Sequence, residues 1–153
     1  MELKETKTAE EKLEKDFNAY VGKKFEKLIL EEALKKIDFV HLQKTGKWWG
    51  YYRDPVTKKR IELEIDIVGL NESTKEIVFA ECKWSDNVNA MDLLQKLKEK
   101  AKYVEWPNAK KNRKEYYILF AKSFKKKTMY ENVYYFEQKD IEKLLNQQTR
   151  KKL

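Results

Sequence analysis

The chain has 153 residues, which fits one domain with a core of its own, and at 41% hydrophobic and 13% aromatic residues it is too apolar to be disordered. Its net charge of +8 and pI near 9.3 suit a polyanionic partner, although with 39% of residues charged and lysine far ahead of arginine the same balance also fits a thermophile's surface. One cysteine, Cys82, and one histidine, His41, exclude an internal disulfide and a cysteine- or histidine-built zinc site, so any metal must sit on carboxylates, which favours Mg or Mn.

Residues Met1 to Lys15 are charged and helix-prone and lack the apolar core of a signal peptide; no apolar run approaches the roughly 18 residues of a membrane span. A soluble cytoplasmic protein is expected, one domain over 1–153 with 1–9 as a poorly ordered extension. A long amphipathic helix is predicted from about Glu10 to Lys36, because Leu13, Phe17, Val21, Phe25, Leu28 and Ile29 recur every three or four residues. Gly22 inside it weakens the helix and suggests a close contact. Trp48 to Arg53 reads as a strand, Asp54 to Lys58 as a turn, and Ile61 to Leu70 alternates apolar and acidic residues as a second strand. After a tight connection at Asn71–Thr74, Ile77 to Trp84 is apolar almost throughout and reads as a central strand, completing an antiparallel meander. Asn89 is an N-cap candidate for a helix from Ala90 to about Val104, with Leu93, Leu94, Leu97 and Ala101 inward. Tyr116 to Ala121 is then a strand parallel to its predecessor, since a crossover of this length reverses nothing. A short strand Val133–Phe136 and a helix Asp140–Gln147 close the chain. The fold class is therefore mixed α/β, in the order α-β-β-β-α-β with a short β-α tail.

Two stretches carry chemistry, Glu64-Ile65-Asp66-Ile67-Val68-Gly69 and Ala80-Glu81-Cys82-Lys83-Trp84. Residues two apart on a strand share a face, so Glu64 and Asp66 project together, as do Glu81 and Lys83, and a short connection makes the two strands neighbours. Asp66 and Glu81 can then converge on a hard divalent ion, which polarises a phosphate and activates a water, while Lys83 orients that water or stabilises developing charge. Cys82 points the other way, into the core. The bland alternative is a solvated strand face with cross-strand ion pairs. Against it, Glu81 and Lys83 interrupt a strand too apolar to face solvent, and buried charges need a reason.

The pattern Asp66…Glu81-Cys82-Lys83 resembles the PD-(D/E)xK superfamily of restriction endonucleases and Holliday-junction resolvases. More narrowly, Phe17-Asn18-Ala19-Tyr20-Val21-Gly22 with Phe25-Glu26, Glu64-Ile65-Asp66-Ile67-Val68, Glu81-Cys82-Lys83-Trp84 and Ile118 to Ser123 resemble a domain of unknown function at the C-terminus of archaeal P-loop ATPases. The resemblance implies a restriction-endonuclease-like core. It implies Asp66 and Glu81 as metal ligands with the Cys82 carbonyl as a third, Lys83 as catalytic lysine, and Glu26 as the first-helix acid. Gln95 matches a polar residue that some relatives direct at the site, and Glu64 assists the metal or structures it. For Glu26 and Gln95 the ordinary alternative is an exposed helix position. The chain departs from the family's setting in two ways: it has no G-x-x-x-x-G-K-[ST] phosphate loop, and Ile65 stands where the superfamily writes proline.

Adjacent Trp48 and Trp49 face opposite ways, so one lies outward, to cover the sheet or to stack on a base, and Tyr51 and Tyr52 repeat the choice. Two basic clusters, Lys110, Lys111, Arg113 and Lys114, and Lys125, Lys126 and Lys127, are candidates for phosphates. His41 is expected to be structural or exposed. No motif supports base-specific readout, so binding is expected to be non-specific or structure-directed. The expected function is a Mg- or Mn-dependent DNA nuclease, with RNA as another substrate; the resemblance adds a homodimer. The alternative is a non-catalytic module that binds nucleic acid or docks beside an ATPase.

Overall fold

A computed structural model describes residues 2–107 and 112–147. Helix α1 (Glu2–Leu28) runs into a π turn (Ile29–Ala33) and a 3-10 turn (Leu34–Lys36). Strands β1 (Lys44–Arg53), β2 (Arg60–Asn71) and β3 (Glu76–Lys83) follow, then a two-residue β4 (Val88–Asn89) leading into α2 (Ala90–Ala101). The chain ends with β5 (Lys114–Ala121), β6 (Phe124–Lys126), β7 (Val133–Phe136) and α3 (Gln138–Asn146). The main sheet has the order β1-β2-β3-β5-β7: β1 to β3 form an antiparallel meander, while β3, β5 and β7 are parallel. The fold is mixed α+β, a five-stranded mixed sheet with three helices, in the expected element order. A pair that sequence pattern did not suggest, β4 with β6, forms a second, parallel two-stranded sheet.

Both faces of β3 are covered, which is why its sequence lacks alternation. Ile77 and Phe79 join Leu94, Leu97 and Leu119 under α2; Val78 and Ala80 join Phe25, Ile29, Ile118, Phe120, Ile141 and Leu144 beneath α1 and α3. Phe79 and Phe120 are wholly buried, and burying such a side chain stabilises the fold by about 2–3 kcal/mol. The Asn89 side chain caps α2 by accepting the Asp92 N–H at 3.1 Å. Trp48 packs against the α2-side core, and Tyr52 stacks on Tyr103 with ring centres 5.3 Å apart.

The first helix differs from expectation. It starts at Glu2, well before Glu10, and its apolar stripe engages the domain only from Val21 onward: Leu13 is 72% exposed and Phe17 63%. The period was right, but a stripe needs a surface to bury against, and the sheet lies only beneath the C-terminal half. Gly22 makes no close contact; a Cβ there would meet nothing within 4 Å. The two tight contacts lie elsewhere, at Gly50 beneath the Trp48 ring and at Gly69, where a Cβ would stand 2.6 Å from Leu42.

Candidate active site

The site grows from an irregularity in β2. Gly46 pairs with Val68 but Trp48 pairs with Ile65, so β2 carries one extra residue between them. As a result Ile65 joins the α2-side core while Ile67 joins the α1-side core. The strict alternation expected over 61–70 is broken at Asp66. Pairing of β2 with β3 begins only at Ile67↔Ala80, so Asp66 stands where the two strands part. Its Oδ2 accepts the Cys82 N–H at 2.9 Å, bridging that gap.

Two further acids reach Asp66, one from each side of the sheet. Glu81 projects toward α2, is 7% exposed, and accepts a bond from Lys100 Nζ at 3.0 Å. Burial pushes its carboxyl up to about 8, helped by the hydrogen bond and charge of Asp66 and opposed by Lys100. Glu26, from α1, is raised by partial burial and then by Asp66. Lys47 on β1 joins this side, 3.7 Å from Glu26 and in direct contact with Glu64. Glu64 therefore does reach the cluster, through Lys47. Glu26 and Glu81 each press on Asp66, and carboxyl groups so placed in water-poor surroundings cannot all hold their charge cheaply, which is why both are raised.

The other expected residues are placed as follows. Lys83 lies exposed at the end of β3 and forms no ion pair among the described residues, so it does not belong to the buried part of the strand. Gln95 is exposed on α2 and lines a cleft of about 690 Å³ together with Tyr52, Leu63, Lys96, Lys100 and Tyr103. Lys100 thus stands between this cleft and Glu81. Cys82 packs against the α1-side core, and burial and then the nearby carboxylates push its thiol well up, which makes it inert.

The described members of the first basic cluster, Arg113 and Lys114, do not meet the site. Lys110 and Lys111 lie outside the described residues. Lys114 pairs with Glu76 at the opposite end of β3 from Glu81 and Lys83, roughly 20 Å away along the strand. Arg113 is a helix clamp: it donates to the Val104 and Ala101 carbonyls at 2.6 and 3.2 Å and to Glu115 at 3.1 Å. In the second cluster Lys127 is held by Glu137 at 2.6 Å, while Lys125 and Lys126 are exposed on β6, beyond the same sheet end as Lys83. His41 is exposed, and its carbonyl accepts from Asn71 at 2.7 Å.

Two site residues escaped the sequence reading. Lys100 sits one heptad after Leu93, on the inward side of α2, and a cation at that position was a readable sign of a buried acid opposite. Lys47 left no such sign, because only the fold brings β1 beside Glu26.

Among the described residues no three His, Cys, Asp or Glu side chains are grouped as a ready-made metal cage, and no helix is long and apolar enough to cross a membrane. An uncharacterized protein of Methanocaldococcus jannaschii is 31% identical over 124 residues, which cover 76% of this chain and 25% of that protein. The chain thus spans about a quarter of that relative's length. No solved structure matches the chain significantly. Residues 1–102, which include Glu26, Asp66, Glu81 and Lys100, match the family model DUF234, and the chain belongs to that family of archaeal and bacterial proteins of unknown function.

Proposed function

We propose that this domain is a metal-dependent phosphodiesterase of PD-(D/E)xK type, with a restriction-endonuclease-like core, acting on DNA. The observation that carries the reading is that Glu26 and Glu81 both reach Asp66 where β2 and β3 part, each raised by burial and by Asp66. An acidic cluster so unfavourable by itself is one that a divalent cation relieves. The donor set fits a magnesium-like ion. Asp66 Oδ2 accepts the Cys82 N–H and Glu81 Oε1 accepts from Lys100, and the hydrogen bonds that tie Asp66 to Glu81 and Glu26 are what a cation would replace. Two carboxylates, completed by water and phosphate oxygens, are a usual magnesium complement.

Asp66 and Glu81 would hold the ion, with the Cys82 carbonyl adjacent. The ion supplies Lewis acidity at the scissile phosphate and a water of lowered pKa. The chain's own residues do the rest. Lys83, exposed at the strand end and without an ion pair among the described residues, would contact the phosphate. Lys100, 3.0 Å from Glu81, would give up that bond only where a bound cation takes its place on the carboxylate, and would then be free for developing negative charge. Glu26 and Glu64, tied to Lys47, fix the position of Asp66. Calorimetric titration with Mg and Mn tests this, comparing wild type with Asp66→Asn and Glu81→Gln, beside cleavage of single-stranded, duplex and branched DNA. Binding heat and cleavage that both substitutions abolish are expected. Wild-type protein that neither binds metal nor cleaves, even at millimolar metal, sinks the proposal.

A second reading rests on the relative's length: a domain that matches a quarter of a longer protein can serve as a docking module within it. Association with a P-loop ATPase belongs to that reading, and a homodimer would suit the first.

A further inference from the structure

Outside the acidic site, a row of large aromatic side chains stays open to solvent. On β1, Lys47, Trp49 and Tyr51 share one face; Trp49 is 66% exposed and Tyr51 53%. Across on β2 they stand opposite Glu64 and Glu62. The Arg60 guanidinium lies over the Tyr51 ring, 3.9 Å from its centre, with Glu62 3.3 Å away from Arg60 holding it there. Their neighbours on the other face, Trp48 and Tyr52, are packed against the core and on Tyr103, so the outward pair is not serving the fold in the same way.

Charge and position suggest the occupant. Just beyond Tyr51 the hairpin carries Arg53, Lys58, Lys59 and Arg60 against one acid, Asp54, whose Oδ1 is already engaged by the Val56 and Thr57 amides. At the other end of the row, Lys47 touches Glu26 and Glu64. Trp49 is therefore one side-chain step, about 7 Å along the strand, from Lys47, which touches two of the acids. Flat aromatic faces beside cations, leading to a phosphodiester site, are what an unpaired nucleic-acid strand recognises: bases stack on the rings while phosphates follow the basic residues.

We infer that the Trp49–Tyr51 face of the β1–β2 hairpin is a stacking platform for unpaired bases, so that the substrate presents a single-stranded segment to the acidic site. The inference deepens the nuclease reading and rests on it for the word substrate, but binding by the platform needs neither metal nor cleavage.

The test is fluorescence anisotropy of the whole chain in EDTA with labelled oligothymidylate and oligouridylate, each about 16 nucleotides long, and a duplex of equal length. Trp49→Ala and Tyr51→Ala should each weaken single-strand binding about tenfold or more, Trp49→Phe should restore most of it, and duplex binding should change little. The strand that binds more tightly identifies DNA or RNA as the source of the bases. Circular dichroism confirms folding, and both side chains are exposed enough to be removed without opening the core. Wild-type protein that binds neither strand overturns the inference and leaves this face to a protein partner. Equal binding by wild type and Trp49→Ala overturns it as well. Because no metal is present, loss of binding in these variants upholds the platform even if Asp66→Asn leaves cleavage unchanged and the nuclease reading fails.

Discussion

Glu81 of the central strand and Lys100 of the crossover helix meet at 3.0 Å, and Lys100 is the cation that faces a carboxyl group otherwise pressed between the core and Asp66. The helix that crosses from β3 to β5 thus brings its own cation back to the acid at the end of β3.

That arrangement sets a pH dependence. The Glu81 carboxyl ionises near pH 4.5 when unfolded and only at about 8 when folded, because burial and Asp66 disfavour its charge. Between those limits the folded state binds the extra proton, so stability is greatest below the lower value and falls as pH rises through the upper one. The slope should reach at most about 1.4 kcal/mol per pH unit. Urea unfolding from pH 5 to 8 should show this decline, and Glu81→Gln should flatten it. An unchanged slope in that variant refutes the assignment.

Lys100 competes with any cation for Glu81. Lys100→Gln should therefore tighten Mg or Mn binding severalfold in calorimetry while slowing cleavage, a split that a merely structural residue does not produce. Weaker metal binding in this variant would show that Lys100 organises the carboxylates instead.

Arg113 holds the carbonyls at the end of α2 with bonds from a largely buried guanidinium. Arg113→Ala should cost about 2 kcal/mol of stability in denaturant unfolding and leave oligonucleotide affinity unaltered. A loss of affinity with stability intact would return this residue to the phosphate-binding surface.

Backbone conformation offers two gains. Gly22 lies within α1 with open space around it, so Gly22→Ala should stabilise the protein by up to about 1 kcal/mol. Lys75, in the β2–β3 turn, sits at φ 60°, and Lys75→Gly should relieve part of the roughly 1–2 kcal/mol that a side chain costs there. A lower thermal midpoint for either variant contradicts the respective assignment.

The elements of the main sheet and the helices were legible because each follows from local chemistry. An aromatic segment wrote β1, period two wrote β2, an unbroken apolar run wrote β3, and Asn89 marked the start of α2. Asp66, Glu81 and Lys83 were legible as a pattern because charge interrupts apolar strands there. Three things were decided only by the tertiary structure. The register shift in β2 placed Asp66 in a gap between strands, and a pairing irregularity depends on the partner strand rather than on the residues themselves. Lys47 and Lys100 came to the acids from β1 and α2, across distances in sequence that no local period spans. The stripe at Leu13 and Phe17 found no surface, because amphipathicity states what a helix can bury and only the arrangement of the sheet states where.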